Sequence, residues 1–166
     1  TPWTFDTFRA CLSTLAAGPT TVTFTARDAT GTIVGCTSYY ELDAHNHAVE
    51  IGATWYAPHA QGTRINPECK LLLLAFAFEG GLARALNWPI SPNAHPCERV
   101  QLKCDARNLR SQRAIERLGA TKEGILRRHR ICSDGFVRDT VVYSITAPEW
   151  PAIKARLQQR LAATPA

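Results

Sequence analysis

Residues 49–79 read VEIGATWYAPHAQGTRINPECKLLLLAFAFE, and the architecture turns on this run. It opens inside a strand expected over 48–56, crosses a short polar loop and enters a helix. Asn66 is a good cap residue, Pro67 suits the first helical position, and Glu68 complements the helix dipole. Residues 71–78 are almost wholly apolar, which predicts a helix buried on most sides. A strand–loop–helix junction gathers outward-pointing N–H groups at the positive end of a helix dipole, a setting that suits phosphate. Gly62 permits close backbone approach and Arg64 offers a cation to the anion. The loop lacks the GK[ST] ending of a Walker loop, and on spacing alone it reads equally as an ordinary connection.

Working toward the amino terminus, residues 32–42 form a strand rich in β-branched and aromatic residues, and 20–27 alternate as another. Asp28, Ala29, Thr30 and Gly31 make the turn between them, so three strands should form an antiparallel meander. Residues 4–17 carry apolar side chains at helical spacing, ended by Gly18 and Pro19. Working toward the carboxyl terminus, Gly80 and Gly81 stop the apolar helix. The segment 82–98, with Pro89, Pro92 and Pro96, reads as a surface loop or insertion. A strand over 100–104 and a helix over 108–118 follow, with Gly119 just past the helix end. Strands over 121–131 and 136–145 meet at Ser133, Asp134 and Gly135. A closing helix over 148–162 is amphipathic through Trp150, Ile153, Leu157 and Leu161. The expectation is one mixed α/β domain over residues 1–166, with a mostly antiparallel sheet flanked by helices.

Composition narrows the function classes. The 166 residues are 45% hydrophobic and 20% charged, ordinary for a single globular core. No run approaches the roughly 20 apolar residues of a membrane span, and no secretory leader is evident, so a cytoplasmic protein is expected. Cys11, Cys36, Cys69, Cys97, Cys104 and Cys132 are scattered without a CxxC pair and read as free thiols. The formal charge of +5 suits a small polyanionic ligand. Arg107, Arg110, Arg113, Arg117, Arg127, Arg128 and Arg130 form a basic cluster read mainly as a solvated face, and nucleic acid is not the expected partner. His45 and His47 have no further ligand in view, so no metal is expected.

The opening run, followed by RVQLKCDARNLRSQRAIERLGATKEGILRRH at 99–129, resembles the GNAT acetyltransferases. The branch it resembles most contains the ribosomal-protein amino-terminal acetylases of RimJ/RimL type. The likeness spans about residues 32–150. It joins a pyrophosphate loop of form Q/R-x-x-G-x-G/A to a D-x-x-N-x-x-S-x-x-x-x-x-x-L-G signature. Asp105, Asn108, Ser111, Leu118 and Gly119 match the second in full. Three departures stand out. Arg64 occupies a position usually held by Gly, the segment 82–98 is longer than the usual connection, and the family's first strand and helix have no counterpart before Thr1.

The resemblance implies an enzyme that moves an acetyl group from acetyl-coenzyme A to a primary amine, on a protein amino terminus or a small molecule, in a ternary complex. Gln61, Gly62, Thr63, Arg64, Ile65 and Asn66 are then expected to bind the pyrophosphate, and Thr54, Trp55 and Tyr56 the pantetheine arm, edge-on. Asn108 and Ser111 are expected to face the pantetheine and the thioester, with Ser111 protonating the departing thiolate. Glu50 is the first candidate for the base and His129 the second; Glu41 and Glu123 rank lower. Trp55, Tyr56 and Trp88 either line an acceptor pocket or pack. Exposed aromatic residues leave room for a homodimer. The competing reading is a non-catalytic member of the fold that binds acyl-coenzyme A.

Overall fold

The computed structural model describes residues 21–90 and 92–163; the helix expected over 4–17 and Cys11 lie outside them. Six strands form one sheet in the order β1-β2-β3-β4-β6-β5. They are β1 (Val22–Arg27), β2 (Ile33–Asp43), β3 (Ala48–Tyr56), β4 (Arg99–Asp105), β5 (Thr121–Ile131) and β6 (Val137–Thr146). The first three make the expected meander. β3 and β4 are parallel, and the remaining pairs are antiparallel. The helices are α1 (Ile65–Phe78), α2 (Gly81–Ala85), α3 (Leu109–Leu118) and α4 (Trp150–Ala162).

The core lies between one face of the sheet and the helices. Tyr39, Val49, Ile51, Val100, Tyr143 and Ile145 meet Leu73, Leu74 and Ala77 of α1 and Ile153 and Leu157 of α4. Each such aliphatic side chain taken from water stabilises the fold by about 1.5–3 kcal/mol. Phe78 stacks on Trp150 at 5.5 Å, and Glu79 accepts from the Trp150 indole and from Lys154, locking α1 to α4. Thr146 and Glu149 close a capping box ahead of α4.

The structure corrects three expectations. The first concerns the start of α1. Arg64, not Asn66, stands at its cap with helical angles (φ −68°, ψ −14°), so Asn66 is already helical and Pro67 is the third residue. The Thr63 hydroxyl makes this earlier start work, accepting from the Ile65 N–H and donating to the Ala60 carbonyl. Pro67 is tolerated because the first four helical N–H groups have no partner in the helix. The second concerns the face of α1. It is not buried on most sides: Leu72 is 70% exposed and Phe76 41%, while Lys70 is buried. The third concerns 82–98, which is not a surface loop throughout. Gly80 takes a left-handed conformation (φ +84°), turns the chain and restarts it as α2, and Leu82, Ala83, Trp88 and Cys97 are buried.

That segment is tied down by His47, whose Nδ1 and Nε2 lie 2.8 Å from the carbonyl oxygens of His95 and Pro89. Trp88 therefore packs beside His47 rather than lining a pocket. At the other margin of the sheet, all 11 residues of β5 are exposed, including Lys122, Arg127, Arg128 and Arg130. The five described cysteines are free thiols. Among the described residues no helix is long and apolar enough to cross a membrane.

Candidate functional site

β3 and β4 pair in parallel over Ala48↔Arg99, Val49↔Val100 and Glu50↔Gln101, and there the ladder ends. Beyond it β3 continues to Tyr56 and β4 to Asp105, so the two strands line an opening whose edges carry backbone groups unused by the sheet. Each strand then leads into a helix amino terminus, β3 into α1 and β4 into α3. The two ends meet: Arg110, in the first turn of α3, donates to Gln61 Oε1 at 2.8 Å, and Gln61 Nε2 donates to the Tyr56 carbonyl at 2.8 Å. Two helix amino termini, with their partial positive charges, and Arg110 thus gather at one mouth. Gly62 sits in that loop at φ +78°, where any other residue is strained.

Within the opening, β3 bulges. Ser38 faces Gly52 and Cys36 faces Trp55, so Ala53 and Thr54 together oppose Thr37. Ala53 is held at φ +43°. The extra residue shifts the strand's alternation, so that Ile51 packs in the core beneath α1 and Thr54, three residues on, also reaches α1. Thr54 Oγ1 lies 2.6 Å from Lys70 Nζ and 2.9 Å from Thr37 Oγ1, and Lys70 Nζ is 3.1 Å from Thr37 Oγ1. Trp55 turns outward and is half exposed, whereas Tyr56 is buried with Ala26, Val34 and Ala60.

Glu50 ends the paired half of β3, and its carboxylate is 2.9 Å from Lys103 Nζ. Lys103 also bonds Glu41 at 3.0 Å. Burial raises the Glu50 carboxyl above its ordinary value, and the Lys103 hydrogen bond opposes this in part. Toward the amino ends of β3 and β4, a cavity of about 720 Å³ is lined by Glu41, Asp43, His45, Ala48, Arg99 and Gln101. Glu50 therefore stands between this cavity and the strand opening.

The remaining expected residues divide. Asn108 caps α3, its side chain accepting from the Ser111 N–H at 2.9 Å. The Ser111 hydroxyl reaches the Cys104 thiol; burial raises that thiol's pKa and the hydrogen bond opposes the rise. Arg64, expected to meet phosphate, pairs with Glu68 at 2.7 Å along α1; Arg110 is the cation that reaches the loop. His129 lies on β5 with Nδ1 3.1 Å from Thr140 Oγ1. Its strand lies three places from that of Glu50 in the sheet order, and its neighbour Arg130 acts electrostatically on the Glu50 carboxyl. Glu123 is committed to Arg99 and Ser144, which hold its carboxyl down at about 2. His47 has both ring nitrogens against backbone carbonyls and is not displayed as a ligand. Sequence reasoning missed Lys70 and Thr37. A lysine at the head of a long apolar run was the available signal.

Comparison with known proteins places this geometry. The acetyltransferase (GNAT) domain model matches residues 3–121. A solved structure from T. thermophilus, described as an acetyltransferase, shares 38% identity and a TM-score of 0.78 over 95% of this chain and 76% of its own. A GCN5-related N-acetyltransferase from Brucella melitensis shares 28% identity and a TM-score of 0.81, over 98% of this chain and 67% of its own. A spermidine N-acetyltransferase from Vibrio cholerae, solved in complex with CoA and spermine, shares the fold at 17% identity and a TM-score of 0.65, over 90% and 79%. No curated protein matches the sequence. The parted parallel strands, the paired helix ends at their mouth and the family match converge: this chain belongs to the GNAT family and is an acetyltransferase.

Proposed function

We propose that the protein transfers the acetyl group of acetyl-coenzyme A to a primary amine, by direct attack while both substrates are bound. The observation that carries this reading is the opening beyond Glu50 and Gln101, with two helix amino termini and Arg110 at its mouth. Acetyl-coenzyme A supplies the thioester. The loop from Gln61 to Asn66 offers backbone N–H groups to the pyrophosphate. The free edge of β3, at Thr54, Trp55 and Tyr56, pairs with the pantetheine amides as an added strand would. The acceptor comes from the cavity side. Glu50, raised by its burial, takes the ammonium proton, directly or through water. Backbone N–H groups around the Ala53 bulge polarise the thioester carbonyl as negative charge develops on its oxygen. Ser111 returns a proton to the leaving thiolate.

The acceptor is a protein amino terminus or a small-molecule amine. The relative solved with spermine supports the second. The test is calorimetric titration with acetyl-coenzyme A, followed by release of free thiol with a panel of amines. Micromolar binding and amine-dependent release are the expected results. Binding without release from any amine points to a non-catalytic acyl-coenzyme A binder, and absence of both refutes the reading.

A further inference from the structure

We propose that Lys70 is a positioning residue for acetyl transfer: from α1 it grips the Thr37 and Thr54 hydroxyls and so fixes the Ala53 bulge against the thioester. The inference rests on the transfer reaction proposed above. It begins with a side chain that packing does not explain. Lys70 is only 5% exposed, yet among the described residues its ammonium meets two hydroxyls and no carboxylate. A buried cation held by hydroxyls is costly, and a methionine of similar length fills the same space without desolvating a charge. Burial accordingly lowers the Lys70 pKa to about 8. A group held at such a disadvantage serves something other than the core.

The bulge supplies the reason. Ala53 is left-handed, a conformation an alanine keeps only when its surroundings impose it. Alanine has no polar side chain with which to hold itself there. Thr37 is the β2 residue that the bulge leaves facing two partners, and its hydroxyl meets that of Thr54, the residue after Ala53. Lys70 Nζ closes the triangle from the helix side at 2.6 Å and 3.1 Å. β2, β3 and α1 are thereby tied at the point where β3 has already left β4 and has lost the support of that neighbour. The amides on either side of Ala53 are those that meet the developing oxyanion, and displacing them by a fraction of an ångström weakens the step without touching the cofactor's phosphates.

The experiment compares the wild-type chain with Lys70→Met, Thr54→Val and the double variant. It uses acetyl-coenzyme A with spermine and with peptides bearing free amino termini, and reads kcat, the acetyl-coenzyme A Kd and the melting temperature. Each single variant should lose roughly tenfold or more in kcat with Kd changed by no more than about threefold, a loss confined to the transition state. Lys70→Met should melt at or above the wild-type temperature, because a buried charge has gone. The double variant should lose no more than the worse single one, as expected for groups that act as a unit. Wild-type kcat in Lys70→Met overturns the proposal, as does a kcat loss that merely follows a lowered melting temperature. If Lys70→Met does not fold, Thr54→Val decides alone, and unchanged kcat overturns the proposal. A wild-type chain that neither binds nor turns over acetyl-coenzyme A refutes the transfer reading itself, a result distinct from active wild type with unaffected variants.

Discussion

The two halves of β3 follow different rules. From Ala48 to Glu50 the strand is paired on both edges, and Val49 is buried at 2% exposure. From Ile51 to Tyr56 it keeps β2 but loses β4, acquires a bulge, holds one alanine in a left-handed conformation and turns Trp55 outward. The first half spends its backbone groups on the fold. The second half leaves them free for a ligand, and requires props from outside the sheet to stay in shape. Glu50 marks the boundary, and its partly buried, ion-paired carboxylate belongs to both regimes.

This contrast can be broken from either side. Leu74, 1% exposed beneath the sheet, serves only the fold. Leu74→Ala should remove about 3 kcal/mol of stability, read by denaturant unfolding, while kcat per folded molecule stays near wild type. Glu50→Gln should invert that outcome, with kcat down about 100-fold or more in steady-state assays and the fold intact. The sign of its stability effect follows from the raised carboxyl. The folded state favours the protonated form, so the contribution is full below the unfolded value of 4.5 and is lost as pH rises through the folded one. The glutamine variant should therefore lose no stability from this source near neutrality.

A smaller effect comes from the loop. A methyl at Gly62 meets nothing within 4 Å, so Gly62→Ala isolates the left-handed backbone. It should cost about 1 kcal/mol, seen as weaker acetyl-coenzyme A binding in calorimetry. The last effect is a slope. Lys70 is lowered from 10.5 to about 8, so between those values the unfolded chain holds the proton more tightly and wild-type stability gains as pH rises. Melting temperatures of wild type and Lys70→Met should converge from pH 7 toward pH 10; a constant gap contradicts a buried, titrating Lys70.

Most of the sheet was legible because its strands alternate or run β-branched, and because Asn108 and Gly119 punctuate α3 with ordinary capping chemistry. The anion loop was legible as a strand–loop–helix junction. The start of α1 was misread because Asn66 and Pro67 look like a cap and first residue, whereas the Thr63 hydroxyl holds a start two residues earlier. α2 was missed because two adjacent glycines read as a stop, and left-handed Gly80 is a pivot. The outward Leu72 and inward Lys70 were invisible to periodicity, since the hydroxyls that receive Lys70 come from β2 and β3, more than a dozen residues away. Arg110 on Gln61 is likewise a meeting of distant segments. What sequence reasoning missed at the site is mostly tertiary pairing between elements it had already drawn.

The exposed outer strand has a consequence for how the molecule behaves in a crowded solution. Among the described residues β5 presents a free strand edge, the template on which proteins add to one another and aggregate. Its four cations, Lys122, Arg127, Arg128 and Arg130, set against the single carboxylate of Glu123, make each copy repel the next when two such edges approach side by side. The irregular register around Glu123 and Arg128 further spoils the straight ladder that a second copy needs. The arginines that the sequence shows as a solvated face thus oppose edge-to-edge growth of the sheet.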